Sequence, residues 1–278
     1  MAFEISMEGA VVLVTGVSSG IGQGIAEQFA RAGARVVGCG RRSEDSEGAC
    51  EFRRRVERYV PQAEYIRCDI ALAGAPAELV AETVRRTGRI DCVVSNAGRN
   101  VFTGVDGSSL DDWNECINLD LRAHWLLAKA SAARLIEAAH QPRPADCGTP
   151  TFLVNSSNHS FFTIPGCFPY NVAKAGLNAL VQSLAIEWGP RMRAVGVAPG
   201  YVETEGAREW FDGFDDPEAK RRQVETMHPV GRMGSVAEIG ALFLFLASRY
   251  ADFISGTTIL ADGGRGALMQ DGDREYRR

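Results

Sequence analysis

Short apolar runs rich in valine and isoleucine recur along the chain at 11–15, 35–39, 65–68, 92–95, 151–155, 193–197 and 257–260. Their apolar residues are continuous rather than alternating, so each reads as a strand buried on both faces. Between them, 21–32, 48–60, 76–86, 110–139, 170–188 and 236–248 place apolar residues at three- and four-residue spacing, the stripe of an amphipathic helix. Strand alternating with helix predicts right-handed crossovers and a doubly wound parallel α/β sheet of about seven strands, with helices on both faces. Ligands of such sheets bind outside the carboxyl ends of the strands, so functional residues are expected just after each run.

Two stretches break this rhythm. The proline-containing segment 141–150 predicts a surface loop. Segment 205–228 mixes Trp210, Phe211 and Phe214 with many charges, which suits a flap over the site or a partner-binding helix. The expected organisation is one domain over 1–278 with its core at about 10–264, a substrate lid at 205–228 and a tail at 265–278. With 45% hydrophobic residues and 30 glycines, the composition excludes a disordered chain and suits a large sheet with many tight turns. The net charge is −5, and the basic clusters at Arg53, Arg54 and Arg55, at Arg85 and Arg86, and at Arg221 and Arg222 sit among acids. They read as solvated helix faces rather than a nucleic-acid groove. The 7 cysteines are scattered singly, without a CxxC pair or a cysteine–histidine cluster, which points to reduced thiols and no metal. The apolar run 241–247 is far short of the roughly 20 residues that cross a bilayer, and 1–9 lacks a signal core. A cytoplasmic protein with no membrane partner is expected.

Directly after the first strand come Thr15, Gly16, Val17, Ser18, Ser19, Gly20, Ile21 and Gly22, and a helix follows. Gly16 permits the sharp turn, Gly20 lets the backbone approach a pyrophosphate, and Gly22 lets helix and strand pack closely. The helix amino end then offers unpaired N–H groups and a partial positive charge to phosphates. A Rossmann-type dinucleotide site is the reading this context supports. At the tip of the second strand Gly40 stands where a carboxylate would hold a ribose 2′-hydroxyl, and Arg41 and Arg42 follow. Guanidinium forks there favour NADP(H) over NAD(H), with solvated loop arginines as the alternative that Glu44 and Asp45 keep open.

Tyr170 and Lys174 lie one helical turn apart on one face. A free phenol, with a pKa near 10, is a poor base at neutral pH, but a nearby ammonium favours phenolate. Lys174 can also donate to the cofactor ribose. Ser157, at the end of the fifth strand, is placed to hydrogen-bond a substrate oxygen beside the phenol, with Ser156 as the backup. His159, Phe161, Phe162, Cys167 and Phe168 lie between serine and tyrosine; of these, His159 and Phe168 are the expected substrate contacts. His159 reads as a structural or gating histidine before an acid or base.

With these residues in hand, the stretch from about Ala10 to Gly264 resembles the short-chain dehydrogenase/reductase family in its compact form. The likeness spans the glycine turn, Asp69 after the third strand, Asn96, Ala97 and Gly98 after the fourth, Ser157 with Tyr170 and Lys174, and Pro199 through Thr204 after the sixth. It implies cofactor contacts from Ser18, Ser19 and Ile21 in the turn, from Asp69 and Ile70 at the adenine, and from Pro199, Gly200, the Val202 backbone and the Thr204 hydroxyl at the nicotinamide amide. It also implies a sheet completed by 231–264 and a homotetramer or homodimer. Two positions depart from the family. Ser95 replaces the first Asn of Asn-Asn-Ala-Gly. At the catalytic Asn position, counted from Trp113, this chain has Asp120, and Asn118 is out of register. The family's Asn holds a relay water through its backbone carbonyl, a job open to Asp120, whose carboxylate would also raise the pKa of Lys174 or be protonated itself.

The expected chemistry is hydride exchange between a nicotinamide and a secondary alcohol or ketone, with Tyr170, Lys174, Ser157 and Asp120 as the catalytic set. Its rivals are a cofactor sensor without turnover, which Asp120 motivates, and a lyase or epimerase using the same cofactor transiently.

Overall fold

The computed structural model describes residues 4–268. Seven strands form one sheet: β1 (Val11–Thr15), β2 (Arg35–Gly40), β3 (Glu64–Arg67), β4 (Cys92–Ser95), β5 (Thr151–Asn155), β6 (Arg193–Pro199) and, last in the chain, β9 (Thr257–Ala261). The order is β3-β2-β1-β4-β5-β6-β9, every pairing is parallel, and the direction of winding reverses between β1 and β4. A two-stranded parallel pair, β7 (Val202–Glu203) with β8 (Gly234–Ser235), lies outside the sheet and was not foreseen from the sequence.

Alternate residues of each strand feed two cores. Val12, Val14, Leu153, Val195 and Val197 face one side, where α1 (Gly20–Arg31), α2 (Glu47–Val56) and α9 (Val236–Ala247) contribute Phe29, Phe52 and Phe243. Leu13, Val93, Phe152 and Val154 face the other, covered by Leu79 of α3 (Ala75–Thr87), Leu127 and Leu135 of α5 (Ala123–Ala139) and Leu177 of α6 (Tyr170–Trp188). This two-sided burial is why the strands lack alternation. Glycines let α1 and α9 touch backbone to backbone: a Cβ on Gly24 would meet Val236 at 2.6 Å.

Three expectations change in detail. The helix read at 48–60 ends at Val56, and residues 57–59 form a turn before Pro61. The long helix read at 110–139 is α4 (Leu110–Ile117) and α5 joined through a π turn, Asn118–Arg122. Segment 205–228 forms α7 (Glu205–Asp212) and α8 (Pro217–Thr226), each begun by a side-chain cap, Thr204 to Ala207 N–H and Asp216 to Ala219 N–H. The loop at 141–150 is tied down: Asp146 accepts from Ser6 N–H at 3.1 Å, and Gly148 N–H donates to Ala247 at 3.0 Å. Of the tail at 265–278, residues 269–278 lie outside the described residues. Among the described residues no helix is long and apolar enough to cross a membrane.

Candidate active site

The carboxyl ends of β1, β4, β5 and β6 converge at the point where the winding reverses, and a polar lattice holds them in register. The Thr15 hydroxyl accepts the N–H groups of Asn96 (2.9 Å) and Ala97 (3.0 Å). Asn96 Nδ2 donates to the Thr15 carbonyl at 2.8 Å, and Asn155 Nδ2 donates to Asn96 Oδ1 at 2.8 Å. Asn96 was read as a cofactor residue; its amide is engaged in bracing the glycine turn. Thr15 was named only as the start of the glycine turn and Asn155 only as the end of the fifth strand, and their place at strand ends was the one signal of this bracing role.

Gly16 and Gly20 have positive φ, +72° and +61°. A Cβ on Gly16 would lie 2.8 Å from Ala97 Cα, and one on Gly22 would collide with the Gly16 carbonyl. Ser19, at the start of α1, makes no side-chain cap, and among the described residues no side chain claims the first-turn N–H groups. A cradle that glycines keep open, under an uncapped helix end, fits a pyrophosphate. Gly22→Ala is expected to lower stability by about 1–3 kcal/mol through overpacking and to weaken nucleotide binding; a denaturant melt with a nucleotide titration checks it.

At the tip of β2 a Cβ on Gly40 would lie 2.6 Å from the Tyr65 hydroxyl, so no acidic side chain fits there. Arg41 and Arg42 are exposed, and among the described residues neither guanidinium has a hydrogen-bond or ion-pair partner. The neighbouring anions are occupied: Glu44 lies 3.9 Å from Arg53, and the Asp45 carboxyl is held below its usual range by the Ser43 hydroxyl. Arg41 and Asp69 line a cleft of about 360 Å³ with Leu72, Leu119 and Arg122. Asp69 Oδ1 accepts from Ala71 N–H at 3.1 Å, and Ile70 is buried beside it. On the opposite wall Val202 is buried, and Thr204 lies 3.5 Å from where a Gly20 Cβ would stand, closing over the glycine turn beyond Pro199 and Gly200. The Thr204 hydroxyl accepts from Ala207 N–H at 3.1 Å and keeps its own proton to donate.

Tyr170 opens α6 and is buried, as is Lys174, whose Nζ lies 5.3 Å from the Tyr170 ring centroid. Burial raises the Tyr170 pKa; Lys174 and the neighbouring Ser157 hydroxyl pull it down, while Asp120 pushes it up. Ser157 Oγ accepts from His159 N–H at 3.2 Å. Ser156, the backup candidate, donates instead to the Lys174 carbonyl at 3.2 Å and so positions α6. The structure thus brings Ser157, Tyr170 and Lys174 together.

Asp120 sits in the middle of the π turn with no solvent exposure. Its Oδ1 lies 3.1 Å from Lys174 Nζ and accepts Arg99 N–H at 3.1 Å. The extra residue of a π turn lets the rod bend while Asp120 points inward. Gly98 is required beneath this pair, since a Cβ there would lie 2.6 Å from Asp120 Oδ1. Burial alone would lower the Lys174 pKa, but Asp120 holds it above its ordinary value. The Ser95 departure also has a structural partner: its hydroxyl lies 2.8 Å from Nδ1 of buried His124. Burial, with Lys174 nearby, holds that imidazole neutral, its pKa pushed down to about 3.

Phe102 and His159 face the phenol, with ring centroids 5.2 Å and 6.2 Å from Tyr170. Phe102 was missed because it lies in an irregular segment with no periodic signal. Phe168 stacks on Trp113, with ring centroids 5.6 Å apart.

Residues 16–265 match the family described as enoyl-(acyl carrier protein) reductase. L-fucose dehydrogenase of Bos taurus is 32% identical over 268 residues, covering 95% of this chain and 92% of the relative. The 3beta-hydroxysteroid dehydrogenase 1 of Eggerthella lenta is 32% identical over 260 residues, covering 93% and 94%. A solved short-chain type dehydrogenase/reductase from Mycobacterium marinum superposes with a TM-score of 0.82 at 26% identity, covering 94% of this chain and 96% of that one. The family match over most of the chain and these relatives show that the chain belongs to the short-chain dehydrogenase/reductase family of oxidoreductases.

Proposed function

We propose that this protein is an NADP(H)-dependent oxidoreductase that interconverts a secondary alcohol and a ketone, with Tyr170 as the proton-transfer residue. The observation that carries the reading is the buried Tyr170 phenol, overlain by the Lys174 ammonium at 5.3 Å with the Ser157 hydroxyl beside it, next to an open glycine cradle. When bound, the nicotinamide supplies the hydride donor or acceptor. Gly16, Ser18, Ser19, Gly20, Ile21 and Gly22 would hold the phosphates, Arg41 and Arg42 the 2′-phosphate, Asp69 and Ile70 the adenine, and Val202 and Thr204 the amide. Tyr170 gives a proton to the ketone oxygen, or takes one from the alcohol. Ser157 donates to that oxygen, and Lys174 stabilises the phenolate while reaching toward the ribose hydroxyls. Relatives that act on a sugar and on a steroid suit a cyclic or polyhydroxylated substrate. We further assign the protein to the cytoplasm, as a homotetramer or homodimer without nucleic-acid or membrane partners.

Binding of NADPH and NADH, read by tryptophan fluorescence quenching and followed by a screen of cyclic ketones and sugars for NADPH oxidation, tests the proposal. Binding of neither nucleotide overturns it, and NADPH binding without turnover of any substrate selects the sensor reading that Asp120 motivates. Arg41→Asp is expected to shift selectivity toward NADH by about tenfold to a hundredfold, the worth of a charge-assisted fork to phosphate. Unchanged selectivity in a paired nucleotide titration removes Arg41 from the cofactor site.

A further inference from the structure

Beyond β9 the chain makes a turn in which Asp262 accepts N–H groups from Gly264 (3.0 Å) and Gly266 (2.6 Å), so its carboxylate is spent on the main chain. This turn is wedged between two walls of the candidate site: a Cβ on Gly266 would strike the Phe162 ring, and one on Gly263 would lie 3.4 Å from His228 Cβ. Arg265 projects from it. The residue is part-buried, its guanidinium lies 4.9 Å over the Tyr201 ring, and among the described residues that group has no hydrogen-bond or ion-pair partner. The Tyr201 ring beneath it packs edge-on against His228 at 6.0 Å, the Arg265 charge opposes protonation of both His228 and His159, and His159 borders Tyr170.

The imidazoles define the rest of the wall. His228 is buried, with Nδ1 at 2.9 Å from the Val224 carbonyl. A carbonyl only accepts, so Nδ1 carries the proton and Nε2 is a bare acceptor; it is buried without a partner among the described residues. His159 Nδ1 lies 3.2 Å from the Phe162 carbonyl, which leaves its Nε2 an acceptor too. One unpaired guanidinium and two neutral acceptors stand among Phe162, Tyr201 and Trp210, the last stacked on Tyr201 at 6.1 Å. A guanidinium partly withdrawn from water calls for a planar anion that accepts both prongs of its fork.

We propose that Arg265 anchors a carboxylate of the substrate, so that the substrate class is hydroxy acids and their oxo-acid counterparts, with the imidazole acceptors receiving further hydroxyls. This rests on the reading of Tyr170 as the proton-transfer residue. The test compares 3-oxocyclohexane-1-carboxylate with cyclohexanone, and 4-oxopentanoate with pentan-2-one, as substrates for NADPH oxidation. The native enzyme is expected to prefer the acid of each pair in kcat/KM. In Arg265→Gln that preference should shrink by about tenfold to a hundredfold through KM, with NADPH affinity retained and Arg265→Lys partly restoring it. Equal kcat/KM within both pairs for the native enzyme, or a preference unaltered in Arg265→Gln, overturns the proposal. If no ketone of either kind is reduced, the reading of Tyr170 fails and Arg265 is judged by binding alone. Quenching of tryptophan fluorescence by cyclohexanecarboxylate in the native protein and not in Arg265→Gln then upholds the carboxylate site, and no quenching in either overturns it.

Discussion

Tyr170→Phe is expected to cut kcat by about a hundredfold to ten-thousandfold, the usual worth of a positioned acid–base group, while leaving nucleotide binding and the unfolding midpoint near native. The phenyl ring keeps the contact with Phe102 and the packing at the start of α6, so only the hydroxyl is lost. What goes with it is the proton path, because the Tyr170 hydroxyl is the group that stands beside Ser157 with an ammonium over its ring. Steady-state rates with NADPH and any accepted ketone, alongside a fluorescence titration of the nucleotide, separate chemistry from binding. A variant that turns over at near-native rate would remove Tyr170 from the mechanism.

Asp120→Ala is expected to cost about 3–5 kcal/mol of stability, the usual loss when one partner of a buried ion pair is deleted and the other charge stays behind. Lys174 is the charge left behind, 3.1 Å from the missing carboxylate and buried on all sides. The sign of the pH dependence follows from its direction. Lys174 is held above its ordinary value of 10.5. Its contribution to stability is therefore fully present below that pH and is lost as pH rises through the higher folded value. In Asp120→Ala this alkaline-side loss should move to lower pH, which chemical denaturation at several alkaline pH values would reveal. Asp120→Asn keeps the shape and an acceptor for Arg99 N–H but removes the negative charge that pushes the Tyr170 phenol up. Lys174 then acts on the phenol unopposed, so the acid limb of the rate profile for alcohol oxidation should shift to lower pH. An unshifted profile would mean that the Asp120 carboxylate does not govern the ionisation of Tyr170.

The alternation of strand and helix, the glycine turn and the placing of Ser157, Tyr170 and Lys174 were all readable along the chain, because each is a local matter. A buried parallel strand needs a continuous apolar run, Gly16 needs a backbone no other residue adopts easily, and residues one helical turn apart share a face. Gly40 with Arg41 belongs to the same class, since the tip of β2 was locatable from the period alone. The resemblance to a known family added the roles at Asp69, Val202 and Thr204, which no spacing rule supplies.

Other features depend on which elements meet in space. Asp120 registered in the sequence as a departure from a family position; that it reaches Lys174 and Arg99 N–H through a π turn follows only from how α4 and α5 pack beside α6. Ser95 looked like a mild substitution until β4 and α5 placed it against His124. Ser156 stood as the backup to Ser157 in the sequence, and the fold ties Ser156 to the Lys174 carbonyl and leaves Ser157 beside the phenol. Phe102 and Arg265 come from irregular segments far apart in the chain, where no period exists to read. Local backbone and solvation preferences act over a few residues and leave their mark on sequence order. The partners of a buried charge are chosen by long-range packing, which only the folded chain brings about.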